Sequence, residues 1–322
     1  MENKYIGHPS QLNGVTEMRM VGGKADGMRV LQVRNGMGLE FTVSIDRCAD
    51  ISYMYYNGNS MSYIAPCAMV APKYYDNSDT NFLKSFTAGF ITTCGLSTAG
   101  APCEDKGEIL PLHGNISHTP CENYSYSQDD EFIKIMATVR DASLFGHQFL
   151  LCREYLCSVK ENKLVLTDII KNIGCKQTPY MVLYHCNMGY PLLSENSVLK
   201  ISSNKVVPRN EYAAKDLKSW DKMLIPSSNF VEQCYYHKFD GTPLITLSNK
   251  DINTKMEMTF DISSLDCFTE WKMMGEHEYV LGLEPANCYP DGRCVMREKG
   301  ILKFLNAGEC IKNKIEFKFT AC

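Results

Sequence analysis

Lys314-Ile-Glu-Phe-Lys-Phe-Thr320 puts Ile315, Phe317 and Phe319 on one side of an extended chain and its charged residues on the other. A period of two is the mark of a β-strand with one buried face. Lys255-Met-Glu-Met-Thr-Phe260 repeats the pattern. So do Arg29-Val-Leu-Gln-Val-Arg34, Leu39-Glu-Phe-Thr-Val-Ser-Ile45, Ile51-Ser-Tyr-Met-Tyr-Tyr56, Phe132 to Val139, Gln148 to Val159 and Lys163 to Ile170. Turn-forming residues punctuate them: Asn35-Gly36, Asn57-Gly58, Glu161-Asn162, Asn172-Ile-Gly174 and Asp240-Gly241. Strand, turn, strand at short spacing predicts antiparallel sheets. Helical periodicity is poor, with short helices expected only over Asp79 to Phe86 and Glu211 to Lys218. The fold class predicted is all-β: a large antiparallel β-sandwich of about 20 strands in two sheets. With no linker or repeat to divide it, residues 1–322 are expected to form a single domain.

The chain has 322 residues, 44% of them hydrophobic and 22% charged, enough apolar content for a sizeable core. A net charge of −4 without a basic block points away from nucleic acid. The start of the chain shows no charged-then-apolar leader, and no apolar run reaches the ~18 residues of a membrane span, so no membrane partner is expected. Fifteen scattered cysteines without a Cys-x-x-Cys pair read as reduced, buried thiols. That usage points to the cytoplasm and to no metal site. Neither a nucleotide-binding glycine motif nor a serine-hydrolase elbow is present.

Chemistry concentrates at a few strand ends. Tyr279-Val-Leu-Gly-Leu-Glu-Pro285 climbs an apolar ladder to the carboxylate of Glu284, and Pro285 is expected to end the strand there or mark an edge. Partial burial would raise the Glu284 pKa and suit it to general-base work, although a solvated surface Glu has the same local pattern. His185 follows the apolar run Tyr180 to Leu183, with Asn187 two residues on and on the same face if the strand persists. His113 lies in Leu112-His113-Gly114, near the end of a long non-alternating stretch from Ile91 to Ser117. That stretch is expected to be a folded loop over a site, with Gly114 letting a ligand approach the backbone. Arg47, in Asp46-Arg-Cys-Ala-Asp50, could clamp hydroxyls or pair locally with Asp46 or Asp50. Trp271-Lys272 could offer a sugar-stacking face beside a donor.

These residues fall in motifs that, taken together, resemble a known family. Tyr5-Ile-Gly-His-Pro-Ser-Gln-Leu12, Thr92-Thr-Cys-Gly-Leu96, Leu112-His113-Gly114, Tyr184-His-Cys-Asn-Met-Gly-Tyr-Pro-Leu-Leu193 and the run from Trp271 to Cys288 are similar to a bacterial domain-of-unknown-function branch of aldose 1-epimerase-like proteins, relatives of galactose mutarotase. Ala307-Gly308-Glu309 resembles that superfamily's Pro-Gly-Glu turn. The resemblance runs from Tyr5 to about Phe319 and implies the galactose mutarotase-like supersandwich. It also implies an isomerase that needs no cofactor or metal and acts on a small sugar, as a monomer or homodimer. Glu284 matches the base that takes the anomeric hydroxyl proton, and His185 the acid that protonates the ring oxygen, working as an imidazolium–carboxylate pair. His113 matches a second histidine on the sugar.

Asn115 stands where the family commonly has Arg, so either the substrate lacks the group that Arg reads or Arg47 supplies the contact. Two other readings stay open: a non-catalytic sugar-binding or sensing protein, and a lyase or hydrolase drawing a partner carboxylate from Glu104, Asp105 or Glu108.

Overall fold

The inward rows of the alternating strands close on one another in a computed structural model that describes residues 4–322. Strands occupy Arg29–Arg34, Leu39–Ser44, Asp50–Tyr56, Phe132–Ala142, Gln148–Ser158, Lys163–Asn172, Thr254–Phe260 and Cys310–Thr320, close to where the period-two pattern puts them. The strand pairings are antiparallel throughout. They build sheets of eight, seven and five strands with two small ribbons, where two sheets were expected. The eight-stranded sheet meets the seven-stranded one through Tyr184, whose hydroxyl donates to Asp168, and the five-stranded one where the Tyr56 and Phe319 rings touch. One apolar cluster, from Leu31 to Phe319, draws on all three. Burying these rows is the main favourable term holding the sheets together.

Two expectations are corrected. The Ile91–Ser117 stretch begins as a strand, Ile91–Leu96, buried at every position and paired with Thr178–Met188. Both of its faces are covered, so it lacks the alternation that marks a half-wet strand. A small hairpin follows, Cys103–Asp105 with Glu108–Leu110. Nor does Pro285 end its strand: Glu278–Ala286 runs on through it. Proline is tolerated because Pro285 pairs with Phe268 on one side, while the ladder to Thr178–Met188 skips its position on the other.

The helices are short: a 3-10 turn over Asn81–Lys84, an α-helix over Glu211–Lys215 and another over Arg293–Glu298, which the sequence pattern did not show. No helix among the described residues is long and apolar enough to cross a membrane.

Candidate functional site

The seven-stranded sheet brings His185 and Glu284 together. Thr178–Met188 and Glu278–Ala286 pair in constant register, with Leu183 opposite Ala286 and Cys186 opposite Leu283. That register sets His185 across from Glu284. Their side chains meet on one face: His185 Nε2 lies 3.2 Å from Glu284 Oε1, and both residues are buried. The approach does not have hydrogen-bond geometry, and Glu284 Oε1 and His185 Nδ1 are both without hydrogen-bond partners. Unpaired buried polar atoms are uncommon and costly in a finished core. Here they border a cavity of about 290 Å³ whose lining includes His113, His185, Arg209, Glu232, Thr269, Trp271 and Glu284.

The walls fix these groups. Phe86 and Trp271 pack edge-on against the His185 ring at centroid distances of 5.1 and 5.2 Å, with interplanar angles of 61° and 79°. Trp271 Nε1 donates to Glu232 Oε2 at 2.9 Å, which holds the indole as part of the wall. His113 adopts a left-handed backbone, φ 60°, rare outside glycine. Its Nδ1 accepts from the Gly100 N–H at 3.3 Å, so the neutral ring carries its proton on Nε2 as a donor. Gly114, also left-handed at φ 72°, packs against protein rather than ligand: a Cβ there would stand 2.3 Å from the Gly95 carbonyl oxygen and 2.6 Å from that of Thr98.

Burial sets the charges. It pushes the Glu284 carboxyl well above its ordinary value, an effect that Arg209 moderates and Glu232 reinforces. Burial also pulls His185 down to about 4, against the influence of Asn187. His113 falls to about 3 through burial, with His185 and Arg209 adding to the drop. The pair therefore favours a protonated Glu284 beside a neutral His185, not the imidazolium–carboxylate form expected from the sequence. The number of protons is the same in both; only their location differs.

Gly282 lies directly across the ladder from Trp271. A Cβ at this position would sit 2.6 Å from Glu284 Oε1 and 3.0 Å from Trp271 Cβ. The carboxyl group therefore folds back over a position that has no side chain. Gly282→Ala should lower the melting temperature modestly, since the flexible carboxyl can swing aside but Trp271, at 3.0 and 3.1 Å from the added Cβ, must also give. It should also displace the Glu284 carboxyl by about 1 Å, enough to slow any reaction that carboxyl carries by roughly 10²-fold. Paired calorimetry and rate measurements check this, and unchanged turnover would refute it.

A family model described as a domain of unknown function, DUF4432, matches residues 25–319. The chain belongs to this family. No curated protein matches it. Among solved structures, a candidate aldose 1-epimerase from Klebsiella pneumoniae is 23% identical with a TM-score of 0.88, the match covering 95% of this DUF4432 chain and 83% of that one. A galactose mutarotase-like protein from Clostridium acetobutylicum is 14% identical with a TM-score of 0.67, covering 97% and 100%. The galactose 1-epimerase of Lactobacillus acidophilus, also 14% identical, reaches a TM-score of 0.65 over 96% and 99%. At such identities these likenesses show a galactose mutarotase-like fold.

Four residues singled out in the sequence do not line the cavity of this DUF4432 protein. Lys272 neighbours Trp271 in the strand Cys267–Gly275, and adjacent strand residues face opposite ways. Its Nζ is buried on the far side, donating to the carbonyls of Ser219 and Trp220. Asn187 stands behind His185 and donates from Nδ2 to the His185 carbonyl at 2.8 Å. Asn115 accepts from the Tyr75 hydroxyl at 3.1 Å, beside a separate shallow depression. Arg47 is buried, donates to the Val70 carbonyl at 2.7 Å and leaves Nη2 unpaired. Asp46 pairs with Arg29 instead.

In the hairpin, Asp105 is gripped by Arg293 and Arg297, and Glu108 by Arg293. Neither lines the cavity, and Glu104 does not either.

Sequence reasoning passed over Arg209, Glu232 and Thr269. Thr269 carried a usable signal, since it lies two residues before Trp271 and so shares its face. Arg209 and Glu232 lie outside the strands and carried none.

Proposed function

We propose that this protein interconverts sugar anomers, with Glu284 and His185 as the acid–base pair that opens and recloses the ring. The observation that carries this reading is the 3.2 Å approach of His185 Nε2 to Glu284 Oε1 in a cavity where that oxygen has no hydrogen-bond partner. The cavity volume is at the small end for ligand sites, suited to a monosaccharide. Trp271 and Phe86 offer apolar faces for sugar C–H groups, and His113 offers a donor. A sugar hydroxyl donating to Glu284 stabilises its carboxylate, and the proton passes to His185. The carboxylate then takes the O1 proton as the imidazolium protonates O5 and the C1–O5 bond breaks. Rotation about C1–C2 and reclosure with the roles reversed give the other anomer. No net proton is gained or lost.

The test is anomer exchange followed by NMR across free aldoses, ketoses and uronic acids, with ligand binding measured in parallel. One sugar exchanging faster than in buffer supports the reading. Binding without exchange would favour sugar recognition without chemistry.

The pH profile of kcat/KM tests the proton location. The free pair works with one proton, so the rate falls in acid when His185 gains a second and in alkali when Glu284 loses its own. The acid limb is expected near 4, the depressed His185 value, and the alkaline limb well above the ordinary carboxylate range. An acid limb in the ordinary carboxylate range with an alkaline limb near 6.5, the unperturbed histidine value, would contradict a neutral resting pair.

A further inference from the structure

Thr269 is fully buried, lines the cavity and has no hydrogen-bond partner for its Oγ1. It lies directly across the antiparallel ladder from Glu284. Opposed side chains on neighbouring strands share a face, with Cβ atoms about 5 Å apart. Two residues of the cavity lining at opposed positions of one strand pair thus each hold a buried oxygen without a protein partner, Thr269 Oγ1 and Glu284 Oε1.

Leaving a buried hydroxyl unpaired costs stability that a valine of the same shape would not. Thr87, Thr98 and Thr320 also carry unpaired hydroxyls, but none of them lines the cavity. Trp271 Nε1 is committed to Glu232 and His113 Nδ1 to Gly100, which leaves His113 Nε2 as a donor only. Arg209 lies against Asp291 and donates to the Pro290 carbonyl. Thr269 is left as a neutral group able both to donate and to accept.

We propose that Thr269 is a specificity-determining residue that hydrogen-bonds the hydroxyl on the carbon next to the anomeric carbon, so that the site selects aldoses bearing a free 2-hydroxyl. This rests on the proposed acid–base reading, which puts Glu284 at O1; its neighbour on the strand ladder then meets O2. Two adjacent oxygens on the protein face two adjacent hydroxyls on the sugar. Sugars that lack the 2-hydroxyl leave Thr269 unpaired and are discriminated against.

The experiment compares D-galactose, D-glucose and L-fucose, each with its 2-deoxy analogue, by NMR binding titration and by anomer exchange. The proteins are wild type, Thr269→Val and Thr269→Ser. Wild type should favour the parent sugar by about tenfold or more, the worth of a typical buried hydrogen bond. Thr269→Val should reduce that ratio to about one with a melting temperature equal to or above wild type, and Thr269→Ser should restore it.

A Thr269→Val protein that keeps the wild-type ratio overturns the assignment, and anomer exchange in wild type would leave the acid–base reading standing. Binding that discriminates through Thr269 without any exchange supports the assignment and removes the acid–base reading. Failure of every one of these sugars to bind overturns both.

Discussion

Glu284→Gln should slow anomer exchange on the order of 10³-fold while leaving the protein folded. The amide keeps the shape of the carboxyl but can neither take the O1 proton nor give it back. Burial already makes a charged Glu284 unfavourable, so the melting temperature should stay level or rise, the usual sign of a group kept for function rather than stability. His185→Asn should cost a similar factor in rate. It should also lower the melting temperature modestly, because Phe86 and Trp271 lose the ring they pack against.

The decisive comparison is the double variant. Two groups that pass one proton between them act as a unit, so removing both should be hardly worse than removing the more damaging one. Losses that multiply would mean two independent roles. Wild-type exchange in Glu284→Gln would end the acid–base reading.

How much of this was legible in the sequence depends on what each residue's neighbours reveal. Ile315, Phe317 and Phe319 advertise their strand because one face is wet and the other dry. Ile91–Leu96 is buried on both faces, shows no alternation and so reads as part of a folded loop. Glu284 and His185 were visible as polar groups inside apolar runs. Their meeting was not, because it depends on a pairing register between segments about a hundred residues apart. Lys272 was misplaced for a reason the sequence did contain: in a strand it cannot share a face with Trp271. Arg209 and Glu232 reach the cavity from irregular segments, whose path no periodicity encodes.

The same logic explains why a buried charge network escaped notice. Arg153 sits at an inward position of the strand Gln148–Ser158, where alternation calls for an apolar residue. Its guanidinium, wholly buried, donates twice to Asp168, from Nε at 2.9 Å and from Nη2 at 2.7 Å. It also donates to Asp50 at 2.6 Å, the Cys48 carbonyl at 2.9 Å and Thr93 Oγ1 at 2.7 Å. Tyr184 adds a hydroxyl donor to Asp168. One side chain thereby ties the eight-stranded sheet to the Ile91–Leu96 strand and, through Asp168, to the strand that carries His185.

Arg153→Met should lower stability by about 3–5 kcal/mol, because it leaves two buried carboxyl groups without their cation. In a chain of this size that is a fall in melting temperature on the order of 10 °C. Replacing Asp50 and Asp168 by Asn in the Arg153→Met background should recover part of the loss, since the charges left unpaired are what make the single change costly. Thermal melts of the single and triple variants check this. A single variant within about 1 kcal/mol of wild type would show that solvent reaches the network and that the sheets are held by apolar packing alone. The loss should also reach the candidate site, since Tyr184 precedes His185 in the chain. Slower exchange in Arg153→Met even well below its melting temperature would show that this network positions the histidine as well as holding the sheets together.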